Sequence, residues 1–185
     1  MLTHKSCNYR SRRAARLRVV LIVVLITLRK LAPESALAAS LRIVPTAQSA
    51  QVGQSVGVDV VIDDLGGDTI GAFDLDVNFD PTIVSPTNII FGTFLGDMNL
   101  LEALTSFGFL PGIVDVAEVS LLSPLELEAL QPASFTLATV LFTTVGVGTS
   151  PLRFPQVILD DAFAQPLSVA AVDTGSVAVR RNCSP

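Results

Sequence analysis

Tryptophan is absent from this 185-residue chain, and tyrosine and histidine occur once each and cysteine twice. His4, Tyr9, Cys7 and both lysines, Lys5 and Lys30, fall within the first 38 residues. Residues 39–185 contain no histidine, lysine, tyrosine or tryptophan, and their single thiol is Cys183. Each absence excludes something. Without His, Lys or Tyr, acid–base and covalent catalysis is left to carboxylates alone. A lone cysteine three residues from the end cannot close an internal disulfide, so packing must hold the fold; an intermolecular bond through Cys183 stays open in an oxidising compartment. Without Trp or Tyr, the amphipathic rings that stack on the sugars of crystalline polysaccharide are missing, and most of the ten phenylalanines are needed for a core.

Long apolar runs are also scarce. Val19 to Leu28 (VVLIVVLITL) is the longest, and Arg29, Lys30 and Glu34 interrupt it well short of the roughly 20 residues that span a bilayer. Lys5, Arg10, Arg12, Arg13, Arg16 and Arg18 precede it, and Ala36-Leu37-Ala38 comes after it. Residues 1–38 therefore read as a secretory signal, with cleavage expected after Ala38 and a product that is secreted or held at the cell envelope. Ser11-Arg12-Arg13 hints at a twin-arginine route but lacks the apolar pair expected after the arginines. Eight of the twelve basic residues leave with this leader, so the rest carries four basic and sixteen acidic residues, a net charge of −12. Such a surface repels phosphate and excludes nucleic acid and anionic membrane as partners. Calcium, basic protein patches and neutral sugars remain. About 147 residues suffice for one domain with one core, expected at 39–180, with a short tail at 181–185.

Within that domain several segments alternate as strands do. Ser55 to Asp63 turns Val56, Val58, Val60 and Ile62 to one side. Ile113 to Leu122 alternates loosely around Val114, Val116, Val119 and Leu121, and Phe135 to Val145 is β-branched and aromatic on both faces. Shorter strands are expected at Leu41 to Val44, Ile89 to Phe94, Leu152 to Phe154, Val169 to Val172 and Ser176 to Arg180. Turn residues separate them at Gly53, Gly66-Gly67, Asp80-Pro81, Gly146 to Gly148 and Gly175. Many short strands with few helical patterns predict an all-β sandwich. One or two short helices are expected as insertions, with an irregular loop as the alternative at each place: Ser123-Pro124-Leu125-Glu126 has an N-cap serine, proline at the first turn and a capping glutamate, and Asp97 to Thr105 places Leu100 and Leu104 on one side. The apolar connection Phe91 to Leu110 reads as a lid over one end of the sandwich or as a contact surface, and Thr46 to Gln54 as a polar linker.

The sharpest signal is Gly71 to Pro81, GAFDLDVNFDP. As a strand it puts Phe73, Leu75, Val77 and Phe79 on one face and Asp74, Asp76, Asn78 and Asp80 on the other. Asp74, Asp76 and Asn78 match the first ligand spacings of a calcium loop, but Phe79 and Ser85 stand where that loop needs glycine and glutamate. Loop acids Asp63, Asp64 and Asp68 around Gly66-Gly67, and the pair Asp160 and Asp161, offer a better geometry for a weak calcium site. Asp74 and Asp76 lie about 6.6 Å apart along a strand, close to the spacing of an inverting glycosidase pair. They share one face and one environment, however, which gives no means of setting unlike pKa values. No cofactor and no enzymatic activity are expected.

Several pieces of the sequence resemble the cohesin domain of bacterial polysaccharide-degrading assemblies. They are Val52-Gly53-Gln54-Ser55-Val56, GAFDLDVNFDP with Ile83-Val84 after it, Phe135 to Phe142, Val157 to Phe163 (VILDDAF) and Val172-Asp173-Thr174-Gly175-Ser176-Val177. They occur in the family's order over nearly the whole of residues 39–180. The resemblance implies a nine-stranded jelly-roll sandwich without catalysis, which binds dockerins, small calcium-loaded modules, on a sheet face to which the strand at Gly71 to Phe79 contributes. It makes Asp74, Asp76 and Asn78 candidate partner-binding residues, as acceptors for hydroxyl, amide and basic groups. The partner is left open between a dockerin and another secreted protein. Two alternatives stand beside it: direct polysaccharide binding by the same fold, and a purely structural envelope domain.

Overall fold

The computed structural model describes residues 39–182; residues 1–38, where the secretory signal is expected, and 183–185, with Cys183, lie outside the described residues. Alternation produces eleven strands: β1 (Ala39–Val44), β2 (Ala47–Gln51), β3 (Ser55–Asp63), β4 (Ile70–Asn78), β5 (Val84–Phe91), β6 (Ala103–Leu110), β7 (Ile113–Ser120), β8 (Phe135–Thr144), β9 (Gly148–Asp161), β10 (Val169–Asp173) and β11 (Gly175–Arg180). One helix, α1 (Pro124–Leu130), separates β7 from β8. The strands form a five-stranded sheet in the order β10-β1-β3-β8-β5 and a six-stranded sheet in the order β2-β11-β9-β4-β7-β6. The all-β sandwich is the architecture the alternation predicts. The strand count among the described residues exceeds nine partly because the first and last runs of the domain each change sheet. The opening run divides at Pro45 into β1 and β2, and the closing run divides at Thr174 into β10 and β11.

The core lies between the inner faces. Phe73, Leu75 and Val77 of β4 meet Val56, Val58, Val60 and Ile62 of β3 and Leu137, Val140 and Phe142 of β8, all of them buried. Phe79 closes one end with its ring 5.5 Å from that of Phe142. At roughly 1.5–3 kcal/mol for each large side chain removed from water, this layer is the main source of stability in a fold without an internal disulfide.

Helix α1 forms as its sequence predicts. The Ser123 backbone N–H and hydroxyl donate to Glu126 Oε2 at 2.8 and 2.6 Å, completing a capping box with Pro124 in the first turn. These bonds hold the Glu126 carboxyl below its ordinary range. Leu127 anchors the helix in the interior. Just beyond its end, the Gln131 side chain acts as a substitute strand. Its Oε1 accepts from the Ile70 N–H at 2.8 Å, and its Nε2 donates to the Ile70 and Phe94 carbonyls at 2.7 and 3.0 Å. Gln131→Leu leaves those backbone groups unpaired at the start of β4 and is expected to lower unfolding free energy by about 2–3 kcal/mol, read by urea denaturation. A loss under about 0.5 kcal/mol contradicts the assigned role.

Four expectations change. Asp97 to Thr105 is not a helix: a single 3-10 turn at Met98–Leu100 is capped by Asp97, which accepts from the Asn99 N–H at 2.8 Å, and the turn ends at Leu101 with φ 59°. The lid reading holds for Phe94 and Leu95, which pack on the core, with Phe94 5.0 Å from the Phe135 ring. Residues 103–110 are instead the edge strand β6. The polar stretch Thr46 to Gln54 contains β2, paired in parallel with β11. Finally, β7 keeps strict alternation, so Val119 faces outward and Glu118 faces inward; Leu121, beyond the strand, is also exposed.

Candidate functional site

The outer face of the six-stranded sheet is set by the register of β4 with its neighbours. Asp74, Asp76 and Asn78 stand opposite Ala117, Asp115 and Ile113 of β7. On the other side, Asp74 and Asp76 face Ile158 and Gln156 of β9, and Asn78 faces Arg153 across a bulge. Next to β7, β6 adds Leu104, Ser106, Gly108 and Leu110 to the same face, since these pair with Val119, Ala117, Asp115 and Ile113. The three predicted residues are thus brought together, and a fourth joins them. Asp115 is legible in the sequence only through strict alternation from Val114 and Val116, which the apolar Val119 and Leu121 obscure.

Asp115 lies directly across from Asp76. Like charges opposite one another destabilise a strand pair. Partial burial pushes the Asp115 carboxyl above its ordinary range, and the Asp74 and Asp76 charges push it further. An apolar rim surrounds this acidic centre: Leu104 is 59% exposed, Leu110 54%, and Val119 and Ile158 48% each. Residues 70–78, 103–110 and 113–120, which form β4, β6 and β7, contain no basic side chain, and the exposed Arg153 of β9, opposite Asn78, is the basic residue nearest the acidic centre in the ladder. The exposed outer face thus has a hydrogen-bond-accepting, acidic centre and apolar margins.

The other acidic residues fall elsewhere. Asp63 is taken by Arg42, forms an ion pair with it and accepts the Ser134 hydroxyl. The Arg42 contact holds its carboxyl below the ordinary range. Asp64, at φ 58°, accepts the Ser40 hydroxyl at 3.2 Å. The Asp68 N–H closes a turn onto Leu65. Asp161 Oδ1 accepts the N–H groups of Phe163 and Gln165 at 2.7 and 2.8 Å, while Asp160 pairs with Ala72 in the β4–β9 ladder. Among the described residues, no three His, Cys, Asp or Glu side chains converge to hold a metal ion. Neither set of loop acids is assembled into a cage.

Known proteins share both the sequence pattern and the fold. Residues 41–103 match the family model of the cohesin domain. Among solved structures, a chain of a type I cohesin–dockerin complex from Clostridium thermocellum is 15% identical with a TM-score of 0.63, covering 77% of this chain and 99% of that one. A type II cohesin domain from the cellulosome of Acetivibrio cellulolyticus is 18% identical with a TM-score of 0.62, covering 76% and 95%. A non-cellulosomal cohesin from the hyperthermophilic archaeon Archaeoglobus fulgidus is 14% identical with a TM-score of 0.59, covering 77% and 91%. No curated protein matches the chain. The chain is thus similar to cohesin domains in two respects: residues 41–103 match the family model, and its β-sandwich has the fold of the solved cohesins.

Proposed function

We propose that this domain is a non-catalytic, extracellular protein-binding module that holds a dockerin or another secreted protein on the outer face of its six-stranded sheet. Asp74, Asp76, Asn78 and Asp115 are the polar anchors of that face. The observation that carries the reading is the opposition of Asp76 and Asp115 at the centre of an open apolar surface. Their repulsion is relieved when basic, hydroxyl or amide donors of a partner dock there, so the strain of the free face becomes affinity in the complex. Solved relatives with the fold were captured in complex with dockerins, and one relative is a cohesin module of a Clostridium perfringens glycoside hydrolase of family 33. That context supports a role beside polysaccharide-degrading enzymes, and the signal-like leader supports export.

The test is capture of proteins from the producing organism's culture fluid, with and without a calcium chelator. A dockerin partner is expected to be retained only with calcium, and Asp74→Ala/Asp76→Ala is expected to weaken it about 30-fold or more. Asp115→Asn separates binding from folding: it is expected to leave stability unchanged or slightly higher while weakening capture. Retention on insoluble polysaccharide with no protein captured favours direct sugar binding, and the absence of binding in both assays favours a structural domain.

A further inference from the structure

The two sheets have four edge strands, β10, β5, β2 and β6. An exposed edge offers unpaired N–H and C=O groups to any passing strand, and proteins usually blunt it with brevity, proline, charge or a bulge. Three edges here are blunted. β10 and β2 have five residues each, and β10 ends on Asp173; β5 contains Pro86 and a register shift between Pro86 and Asn88. β6 has none of these devices. It runs eight residues, Ala-Leu-Thr-Ser-Phe-Gly-Phe-Leu, with no charge or proline and an unbroken register against β7.

The direction of its hydrogen bonds is fixed. The Leu121 N–H donates to the Glu102 carbonyl at 2.7 Å, so residues 102 and 121 form a bonded pair. Bonded pairs alternate in an antiparallel ladder, so Leu104, Ser106, Gly108 and Leu110 bond to β7 while Thr105, Phe107 and Phe109 turn their backbone groups to the free edge. Phe107 is 51% exposed and Phe109 41%, although both sit on the inner side of the sheet. Their rings are 5.5 Å apart, and Phe107 lies 6.5 Å from Phe91 of β5.

We propose that β6 pairs with β6 of a second copy of this chain, antiparallel and centred on Phe107, joining the two six-stranded sheets edge to edge. The sequence of the strand selects this occupant. Read outward from Phe107, Ser106 meets Gly108, Thr105 meets Phe109 and Leu104 meets Leu110. Under a two-fold axis small thus faces small at Ser106 and Gly108, apolar faces apolar at Leu104 and Leu110, and Thr105 with Phe109 makes a β-branched–aromatic pair of the kind favoured across strands. The outward backbone groups agree with it: Phe107 bonds to its own copy, and Thr105 and Phe109 bond reciprocally. Charge points the same way. A basic or acidic segment would find no counter-charge on β6, whereas β6 itself brings none. The rings of Phe107 and its copy then cover each other, completing the apolar edge that Phe91 only partly shelters. In the dimer the two acidic faces lie side by side on one continuous surface, so each dimer presents two partner sites.

The experiment is analytical ultracentrifugation of the purified chain at about 100 μM, where a micromolar complex is saturated. A dimer is expected that strengthens with added salt, because each folded unit carries a large negative charge. Phe107→Lys and Phe107→Glu are each expected to be monomeric, since like charges would oppose one another on the axis. Mixing the two is expected to restore a dimer. Circular dichroism and a cooperative melt establish that each variant folds. Should either charged variant fail to fold, Thr105→Pro removes the edge-facing N–H together with the exposed hydroxyl bond to Met98 Sδ, and is expected to yield a folded monomer. A monomeric wild-type chain, single variants that remain dimeric, or folded Lys and Glu variants that stay monomeric when mixed would each overturn the proposal. Because the readout is self-association without a partner, it is independent of whether a dockerin binds.

Discussion

Glu118→Gln is expected to raise the melting temperature at pH 8 by about 8 °C while leaving it nearly unchanged at pH 4.5. Glu118 is 1% exposed on the inner face of β7, opposite Phe73 of β4 and Thr105 of β6, and neither carboxyl oxygen has a hydrogen-bond partner among the described residues. Burial pushes its pKa up to about 7 from an ordinary 4.5. Between those values the unfolded chain has released the proton and the folded chain has kept it. Stability therefore falls as pH rises through this window, at about 1.4 kcal/mol per pH unit and about 3 kcal/mol in all, and is level above it. Glutamine has the same shape and no charge, so the fall disappears. Acids whose pKa is lowered by folding, such as Asp63, act below this window and do not mask it. Urea denaturation of both proteins at pH 4.5, 6, 7 and 8 is decisive: curves that stay parallel across the range rule out ionisation of Glu118 as the cause.

The second large effect is expected from a single methyl group. A Cβ on Gly71 would press into the Asp161 backbone, with the carbonyl carbon 2.9 Å away and its oxygen closer still. Gly71 sits at the register shift where β4 meets β9, between Ile70 opposite Asp161 and Ala72 opposite Asp160. The obstacle is main chain and cannot rotate away, so Gly71→Ala must push the two central strands apart. The expected cost is about 3 kcal/mol or more, at the upper end of overpacking penalties. Gly108→Ala on β6 is the matched control, because its nearest neighbours are Asp115 side-chain atoms at 3.9 and 4.0 Å. That change should stay within about 0.5 kcal/mol. Equal midpoints for the two variants in chemical denaturation would contradict the close approach. Since Gly71 opens the strand that bears Asp74 and Asp76, its replacement should also weaken partner capture in proportion to the fraction unfolded.

The elements legible in the sequence are those whose side chains alone decide their orientation. In β3 and β4 every inward residue is apolar and most outward residues are polar or small, so period two is unambiguous and the face bearing Asp74, Asp76 and Asn78 follows from it. In β7 the apolar Val119 and Leu121 suggest the wrong phase. The strand in fact continues the alternation of Val114 and Val116 and buries a carboxyl group, against its own side-chain preference, because the backbone register with β4 leaves no choice. The same false phase hides Asp115. β6 is illegible for the opposite reason: with apolar residues on both faces it shows no period, and Leu100 and Leu104 mimic a helix. β2, Ala-Gln-Ser-Ala-Gln, has hardly any pattern of its own and is a strand because β11 lies beside it. Contacts made across more than a hundred residues leave no local trace.

Those same contacts determine when the domain can exist. β2 pairs with β11 and β1 with β10, so each sheet contains one strand from the beginning of the domain bonded to one from its end. Closing such a long loop carries an entropic cost, which the local pairing of β1 with β3 offsets only for β1, and folding dominated by such contacts is slow. A nascent chain can pair β1 with β3 early, but β2 and the outer edge of β1 lack their partners until Val169–Arg180 has been made. For most of its synthesis the domain therefore lacks the strands that complete its two sheets, and the sandwich closes only when Val169–Arg180 arrives.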